Sequence, residues 1–432
     1  FGKGRPDYVS DRNALKAEFD LKQGGRMVIL AFAKYSVANT SIQMLSKVAA
    51  QTSRETFLKL VQHLFVKHVD KKLESLKNKK PGVVSVKEAK SGYILGIIDK
   101  IAPNYVVEKD QQLFKQVVAT LAQALMKASN RLKFEVDGGS LSLMSDIAYL
   151  LTGERVIYYG EFFAPYANRY YKDKDGKRLG TIIKYPSVGI GEFYQGIAVP
   201  FSTIKKRVNK LNCSKEVKAI IINWFACLSD GILVVPCVEL LKQQLAGLDF
   251  DFDGCTLVLD PMINEVMATI KPIIVDIDPG KVKASEKKYP LAFESFHHVL
   301  RAFINSASKS VGEITVMNDT VIALMNAPFE QAKTRIMEMV GVTAEGKGKF
   351  IGLPKDMVDL DGVKVERVRV SPELVDEFVA NLRATKITED NYKAILSDIV
   401  AIFRYYQEGT IDSVKTGIPV EVAFEMKFVT KT

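Results

Sequence analysis

At 432 residues and 47% hydrophobic content, the chain is long enough to bury a sizeable core and to divide into two or three domains. Its 60 Lys and Arg against 50 Asp and Glu leave a formal +10, a balance that favours polyanionic partners. The four cysteines, at 213, 227, 237 and 255, form no C-x-x-C pair and only four histidines are present, which argues against a zinc site or a disulfide framework and for a reducing, intracellular setting.

Apolar residues at helical spacing predict helix over 40–76 and 108–133, in stretches such as TFLKLVQHLFVKHV and LFKQVVATLAQALMKAS. Between them, KKLESLKNKKPGVVSVKEAK at 71–90 reads as an exposed loop or hairpin with a solvated lysine face. From about 134 to 275 the texture changes to short β-rich runs (RVIYYGEFF, GTIIKYPSV, CTLVLD) separated by Gly, Pro and Asp turns, with one amphipathic helix near 214–229. The most apolar run, AIIINWFACLSDGILVV at 219–235, is broken by Asp230 and Gly231 and is too short to span a bilayer, so no membrane partner is expected. Helical patterns return at 290–308, 317–340, 372–384 and 389–407, and a strand-like VEVAFEMKFV follows. The expectation is an α+β chain in three parts: a mainly helical 1–133, a β-rich 134–275 and a mainly helical 276–432.

One stretch carries chemistry. GLDFDFDGCTLVLD at 247–260 sets Asp249, Asp251 and Asp253 at alternate positions, three like charges whose mutual repulsion points to a bound cation. Two outlines fit. As a calcium loop of the EF-hand kind, Asp249, Asp251, Asp253 and Gly254 take positions 1, 3, 5 and 6 and Asp260 takes position 12, with a helix-like VELLKQQLAG before them. Position 8 is then Thr256 rather than an aliphatic residue, and position 12 is Asp rather than the usual Glu. In the other outline the aspartates gather on Mg²⁺. A straight strand would spread them over roughly 13 Å, so the backbone must bend sharply, with Phe250 and Phe252 turned away to anchor the loop.

DFDFDG followed by CTLVLD resembles the catalytic loop of two-barrel (double-psi β-barrel) RNA polymerases, whose usual form is D-x-D-G-D. Phe252 stands at the glycine position, a departure that resembles certain phage members. Three further stretches stand in the family's order. IIKYPSVGIGEFYQGIAV at 182–199 resembles its R-x-P-[ST] and G-[DE] segment, with Lys184 in place of the arginine and Pro186, Ser187 and Glu192 matching. KSVGEITVMNDTVIAL at 309–324 resembles L-G-x-I-x-N, and TIDSVKTGIPV at 410–420 resembles V-D-x-x-K-T-G through Asp412, Lys415 and Gly417.

The resemblance implies a double-psi barrel over 134–275 and two-metal nucleotidyl transfer from NTPs to an RNA 3′ end. Asp249, Asp251 and Asp253 would hold Mg²⁺, which Mn²⁺ can replace, and Lys184 would contact the ribose or primer end. Lys205, Lys206, Arg207 and Lys415 are candidates for nucleic-acid phosphates, although an ordinary solvated patch describes the first three equally well. No second barrel is found in the first 150 residues, so the chain resembles the β′-like part of a split, phage-encoded multisubunit enzyme. Its expected partners are β-like subunits carrying the second barrel, other polymerase subunits, a DNA template, RNA product and NTPs. A host-cytoplasmic or virion-packaged setting would follow. The alternatives are an EF-hand-like regulatory protein using Asp249 to Asp260 and a non-catalytic structural polymerase subunit. His297 and His298, adjacent on a helical pattern, face different ways and suggest no metal site, and Cys255 and Trp224 read as packing.

Overall fold

The computed structural model describes residues 36–77, 132–170, 179–185, 187–245, 247–248, 250, 253–270, 273–277, 311–360 and 362–416, with isolated positions in 112–130, 296–300 and 422–424. The chain is mixed α+β. A short strand β1 (Ser36–Asn39) precedes helices α1 (Ile42–Gln51) and α2 (Arg54–Lys77). The single helix expected over 40–76 is divided because Ser53 Oγ accepts the Thr56 amide at 3.2 Å and starts α2 afresh.

The β-rich part follows as β2 (Glu135–Ser145), α3 (Ile147–Thr152), β3 (Glu161–Phe162), α4 (Pro165–Tyr170), β4 (Leu179–Lys184) and β5 (Tyr194–Ala198). It continues through α5 (Phe201–Lys210), α6 (Lys215–Cys227), β6 (Ile232–Val235), α7 (Glu239–Gln244), β7 (Gly254–Val258), α8 (Pro261–Met267) and β8 (Ile273–Ile277). Strands run in the order β1-β2-β7-β4-β5-β3, with β6 parallel to β2. Phe163, just after β3, exchanges two backbone hydrogen bonds with Val234 of β6, at 2.9 and 2.8 Å. That link closes β2, β7, β4, β5, β3 and β6 into a ring, and β1 pairs with β2 outside it.

Strand alternation decides what fills the ring. Leu141 and Leu143 of β2, Leu233 and Val235 of β6, and Cys255 and Leu257 of β7 sit two residues apart and join Phe162, Ile182 and Tyr194 in one buried cluster. The Phe162 ring occupies the space that glycine leaves: a Cβ on Gly180 would lie 2.9 Å from it and 2.8 Å from the Leu257 side chain. The opposite strand faces are covered twice. Val208, Ile221 and Phe225 of α5 and α6 pack on Ile232 and Val234. Met44, Leu64, Met317 and Phe403 join Val136, Ile183 and Val258 in a larger core.

The remaining elements are α9 (Val311–Leu324), α10 (Phe329–Met339), β9 (Lys355–Leu360), β10 (Val363–Val370), α11 (Pro372–Ala384) and α12 (Tyr392–Thr416). Pro328, at the N-cap of α10, splits the helix expected over 317–340. The β9–β10 hairpin adds strands to a region read as mainly helical; β10 pairs in parallel with β8 and antiparallel with β9. The terminal VEVAFEMKFV lies outside the described residues except at isolated positions, as does most of 71–90 beyond α2. Among the described residues no helix is long and apolar enough to cross a membrane.

Candidate active site

Two stretches 69 residues apart in sequence, from Lys184 to Asp253, meet at one end of the barrel. Lys184 ends β4 and stands opposite Cys255 of β7, the residue but one after Asp253. Lys184 Nζ lies 3.3 Å from Asp253 Oδ2, the side chains 12% and 22% exposed. The Asp253 carbonyl accepts the Leu143 amide of β2 at 2.8 Å, so this aspartate is held between two strands. Burial and the nearby Asp253 charge push the Cys255 thiol up, which leaves it a packing residue and no nucleophile.

Asp249, Asp251 and Phe252 lie outside the described residues. The backbone around them turns sharply: Gly247 has φ 67° and Phe250 φ 62°. A side chain in that left-handed region costs about 1 kcal/mol or more. Packing of the Phe250 ring against the barrel core offsets the cost, as the anchoring reading of the loop requires.

The loop after Lys184 is tied from inside. Ser187 Oγ donates to the Glu192 carbonyl at 3.0 Å, and Glu192 Oε2 accepts the Val188 and Gly189 amides, each at 2.8 Å. Glu192 is buried, and its other carboxylate oxygen is ion-paired with Arg404 of α12. Lys47 of α1, wholly buried, donates to the Gly189 carbonyl. Asn318 of α9 donates to the Val188 carbonyl at 2.8 Å, which brings the 309–324 stretch onto the 182–199 stretch. Tyr185 and Ser41 share a hydrogen bond of 2.9 Å. Pro186 lies outside the described residues.

These burials have electrostatic consequences. Desolvation brings Lys47 down to about 8, partly opposed by Glu192 and Asp319. Burial pushes the Asp319 carboxyl up to about 6, against the pull of Lys47 and of the Ser46 hydroxyl. Neither Lys47 nor Arg404 was singled out from sequence. The available signal was a lone cation inside an apolar run, IQMLSKVAAQ for one and AIFRYY for the other.

The other candidate residues are more scattered. Arg207 makes two bonds to the Glu161 carboxylate, at 2.6 and 2.8 Å, donates to the Val156 carbonyl and stacks over the Tyr158 ring, so its guanidinium is engaged within the fold. Lys205 and Lys206 are exposed on the same helix, α5. Asp412 and Lys415 fall in the last turns of α12, their side chains outside the described residues together with Gly417. His297 is one isolated helical position and His298 lies outside.

The calcium-loop outline fails on this geometry. Gly254–Val258 is a barrel strand, which separates Asp253 from Asp260 by roughly 20 Å when the ligands of one ion must lie within a few ångström of it. Asp260 caps α8 instead, accepting the Met262 and Ile263 amides, and its second oxygen takes Lys67 at 2.7 Å. Lys67 also reaches Asp137 at 2.6 Å, and Lys71 reaches it at 2.8 Å. Among the described residues no three His, Cys, Asp or Glu side chains gather as a metal-binding group. The partly exposed Asp253 carboxylate, beside a bent loop bearing two more aspartates in sequence, has the hard oxygen chemistry that Mg²⁺ takes.

Fold and site together define an α+β protein with a closed strand ring and a lysine–carboxylate pair at one rim. No protein-family model matches the chain, and no curated protein matches it. Among solved structures, the RNA-dependent RNA polymerase QDE-1 from Thielavia terrestris is similar to it at 11% identity and a TM-score of 0.38, over 92% of this chain and 37% of that one. The chain therefore spans well under half of that polymerase's length.

Proposed function

We propose that the chain is the β′-like catalytic subunit of a DNA-dependent RNA polymerase, active only with partner subunits, and that the strand ring is a double-psi barrel. The observation that carries the reading is the Lys184–Asp253 pair, 3.3 Å apart on neighbouring strands, because it joins the two stretches that most resemble the polymerase family. A ring of six strands with two parallel pairs, β2–β6 and β3–β5, supports the barrel assignment.

In this reading Asp249, Asp251 and Asp253 hold Mg²⁺, which when bound stabilises charge on the attacking 3′-oxygen and on the pyrophosphate leaving group. Lys184 orients the primer end or ribose and balances carboxylate charge before the nucleotide arrives. The reaction forms a bond from the 3′-oxygen to the α-phosphorus and breaks the α–β anhydride, and the hydroxyl proton passes to solvent. Lys205 and Lys206 remain candidates for nucleic-acid phosphates; such contacts weaken as salt rises.

The test is templated extension. The chain with its native partners, primed DNA template, four NTPs and Mg²⁺ should make RNA, and the chain alone should not, because opposing walls must hold the phosphates in line. Asp251→Ala should abolish synthesis with assembly intact. Extension by that variant at the normal rate would remove the aspartates from the site and the reading with them.

A further inference from the structure

The Glu192 stretch resembles a polymerase segment, yet its carboxylate is buried and faces α12 rather than solvent. Arg404, 5% exposed, pairs through Nε with Glu192 and through Nη1 with Glu408 at 2.6 Å. Glu408 in turn lies against Gly247: its Oε1 would stand 3.4 Å from a Cβ placed there. Gly247 has φ 67° and precedes Asp249 by two residues. One guanidinium thus joins the loop that follows Lys184 to the entry of the aspartate loop.

We propose that Arg404 and Glu408 are positioning residues for the aspartate loop, fixing its entry relative to Lys184. The far end of that loop is held independently, through the Lys184 contact to Asp253 and the Leu143 amide on the Asp253 carbonyl. Without the Glu408 contact the loop keeps one anchor of two, and a left-handed Gly247 has many conformations to sample. Carboxylates that share a cation then lose the geometry that makes them a site, as outer-shell losses do in metal centres. Lys47 on the Gly189 carbonyl and Asn318 on the Val188 carbonyl hold the loop end of the same strut from α1 and α9. The inference rests on the polymerase reading only for what the aspartates bind.

Glu408→Gln is the informative variant, since it keeps the side-chain shape, leaves the buried Arg404–Glu192 pair in place and removes one charge at a half-exposed position. Mn²⁺ binding to the full chain, followed by its electron paramagnetic resonance signal, should weaken roughly tenfold in the variant, with thermal melting unchanged. Arg404→Lys, which retains charge but cannot span two carboxylates, should weaken Mn²⁺ binding as well. Wild-type chain that binds Mn²⁺ and Glu408→Gln chain that binds it equally well would overturn this inference and leave the polymerase reading standing. Wild-type chain that binds no Mn²⁺ would overturn both. In the partner-bound assembly, a rise in half-activating Mg²⁺ without a rise in KM for NTP separates positioning from general loss of stability.

Discussion

Lys184→Met should bind Mg²⁺ more tightly than the wild type while using nucleotide less well. The argument starts from 3.3 Å between Lys184 Nζ and Asp253 Oδ2. At an effective permittivity of about 20, that separation corresponds to about 5 kcal/mol of attraction. Both side chains keep some solvent contact, 12% and 22%, so screening takes away much of it. An ion approaching Asp253 must also share the carboxylate with the ammonium, which lies within reach of the same charge. Taking the net cost of that competition as about 1.5 kcal/mol, loss of the ammonium improves Mg²⁺ affinity about tenfold. Methionine fills nearly the same volume, so the barrel rim should hold its shape. Isothermal titration of Mg²⁺ or Mn²⁺ into the chain gives the affinity, and the NTP dependence of extension by the assembly gives nucleotide use. Weaker Mg²⁺ binding by Lys184→Met would refute the reasoning, because the lysine would then be supporting the ion site instead of competing at it.

Asp260→Ala should destabilise the fold by about 2–4 kcal/mol, from a lost helix cap and an uncompensated Lys67, and should leave Ca²⁺ and Mn²⁺ binding unchanged; urea denaturation and a metal titration check the two halves. Asp319→Asn tests the buried cluster by its pH dependence. The folded-state carboxyl titrates at about 6, raised from 3.8, so its stabilising contribution is full below about pH 4 and is lost as pH rises through 6. The variant should therefore gain up to about 3 kcal/mol over wild type at pH 7, and the gap should close near pH 4, read from urea midpoints across that range. A constant gap from pH 4 to 8 would mean that Asp319 does not titrate as placed. Lys47, brought down to about 8, has the opposite slope: between there and 10.5 the unfolded chain holds more protons, and stability rises with pH.

Local patterns were legible where one element decides its own form. Alternating apolar residues in GTIIKYPSV and CTLVLD became β4 and β7, and the amphipathic reading near 214–229 became α6. Other features were readable and overlooked. In KDMVDLDGVKVERVRV, the Asp-Gly step between alternating strands marks the β9–β10 hairpin, and Gly362 there has φ 83°. Pro328 likewise marked the break before α10. Helix α5 was missed because FSTIKKRVNK buries only Ile204 and Val208, too short a stripe to stand out from its lysines. The site divides in the same way. Lys184 and the aspartates announce themselves by charge spacing, but no local pattern reveals that Arg404 pairs with Glu192 across 212 residues of sequence, since only packing brings α12 to that loop. Arg207 shows the reverse case: a basic run suggested phosphate contacts, and the fold turned its guanidinium inward to Glu161.

The two ends of β7 show why counting charges is a poor guide to function. Asp260 at one end has no exposed surface, two backbone amides on one oxygen and Lys67 on the other, which is what a carboxylate needs to be tolerated inside a protein. Asp253 at the other end keeps 22% exposure and a single printed cation, at a distance longer than a good charged hydrogen bond. The same strand thus carries a carboxylate spent on the fold and one held ready at its rim. Behind the second, Lys47, Glu192 and Arg404 are buried charges, an arrangement that rarely improves stability over apolar packing. Their concentration behind the one loop that carries Lys184 is hard to explain by folding alone. It is what the chain would need if that loop must not move when a highly charged substrate binds in front of it.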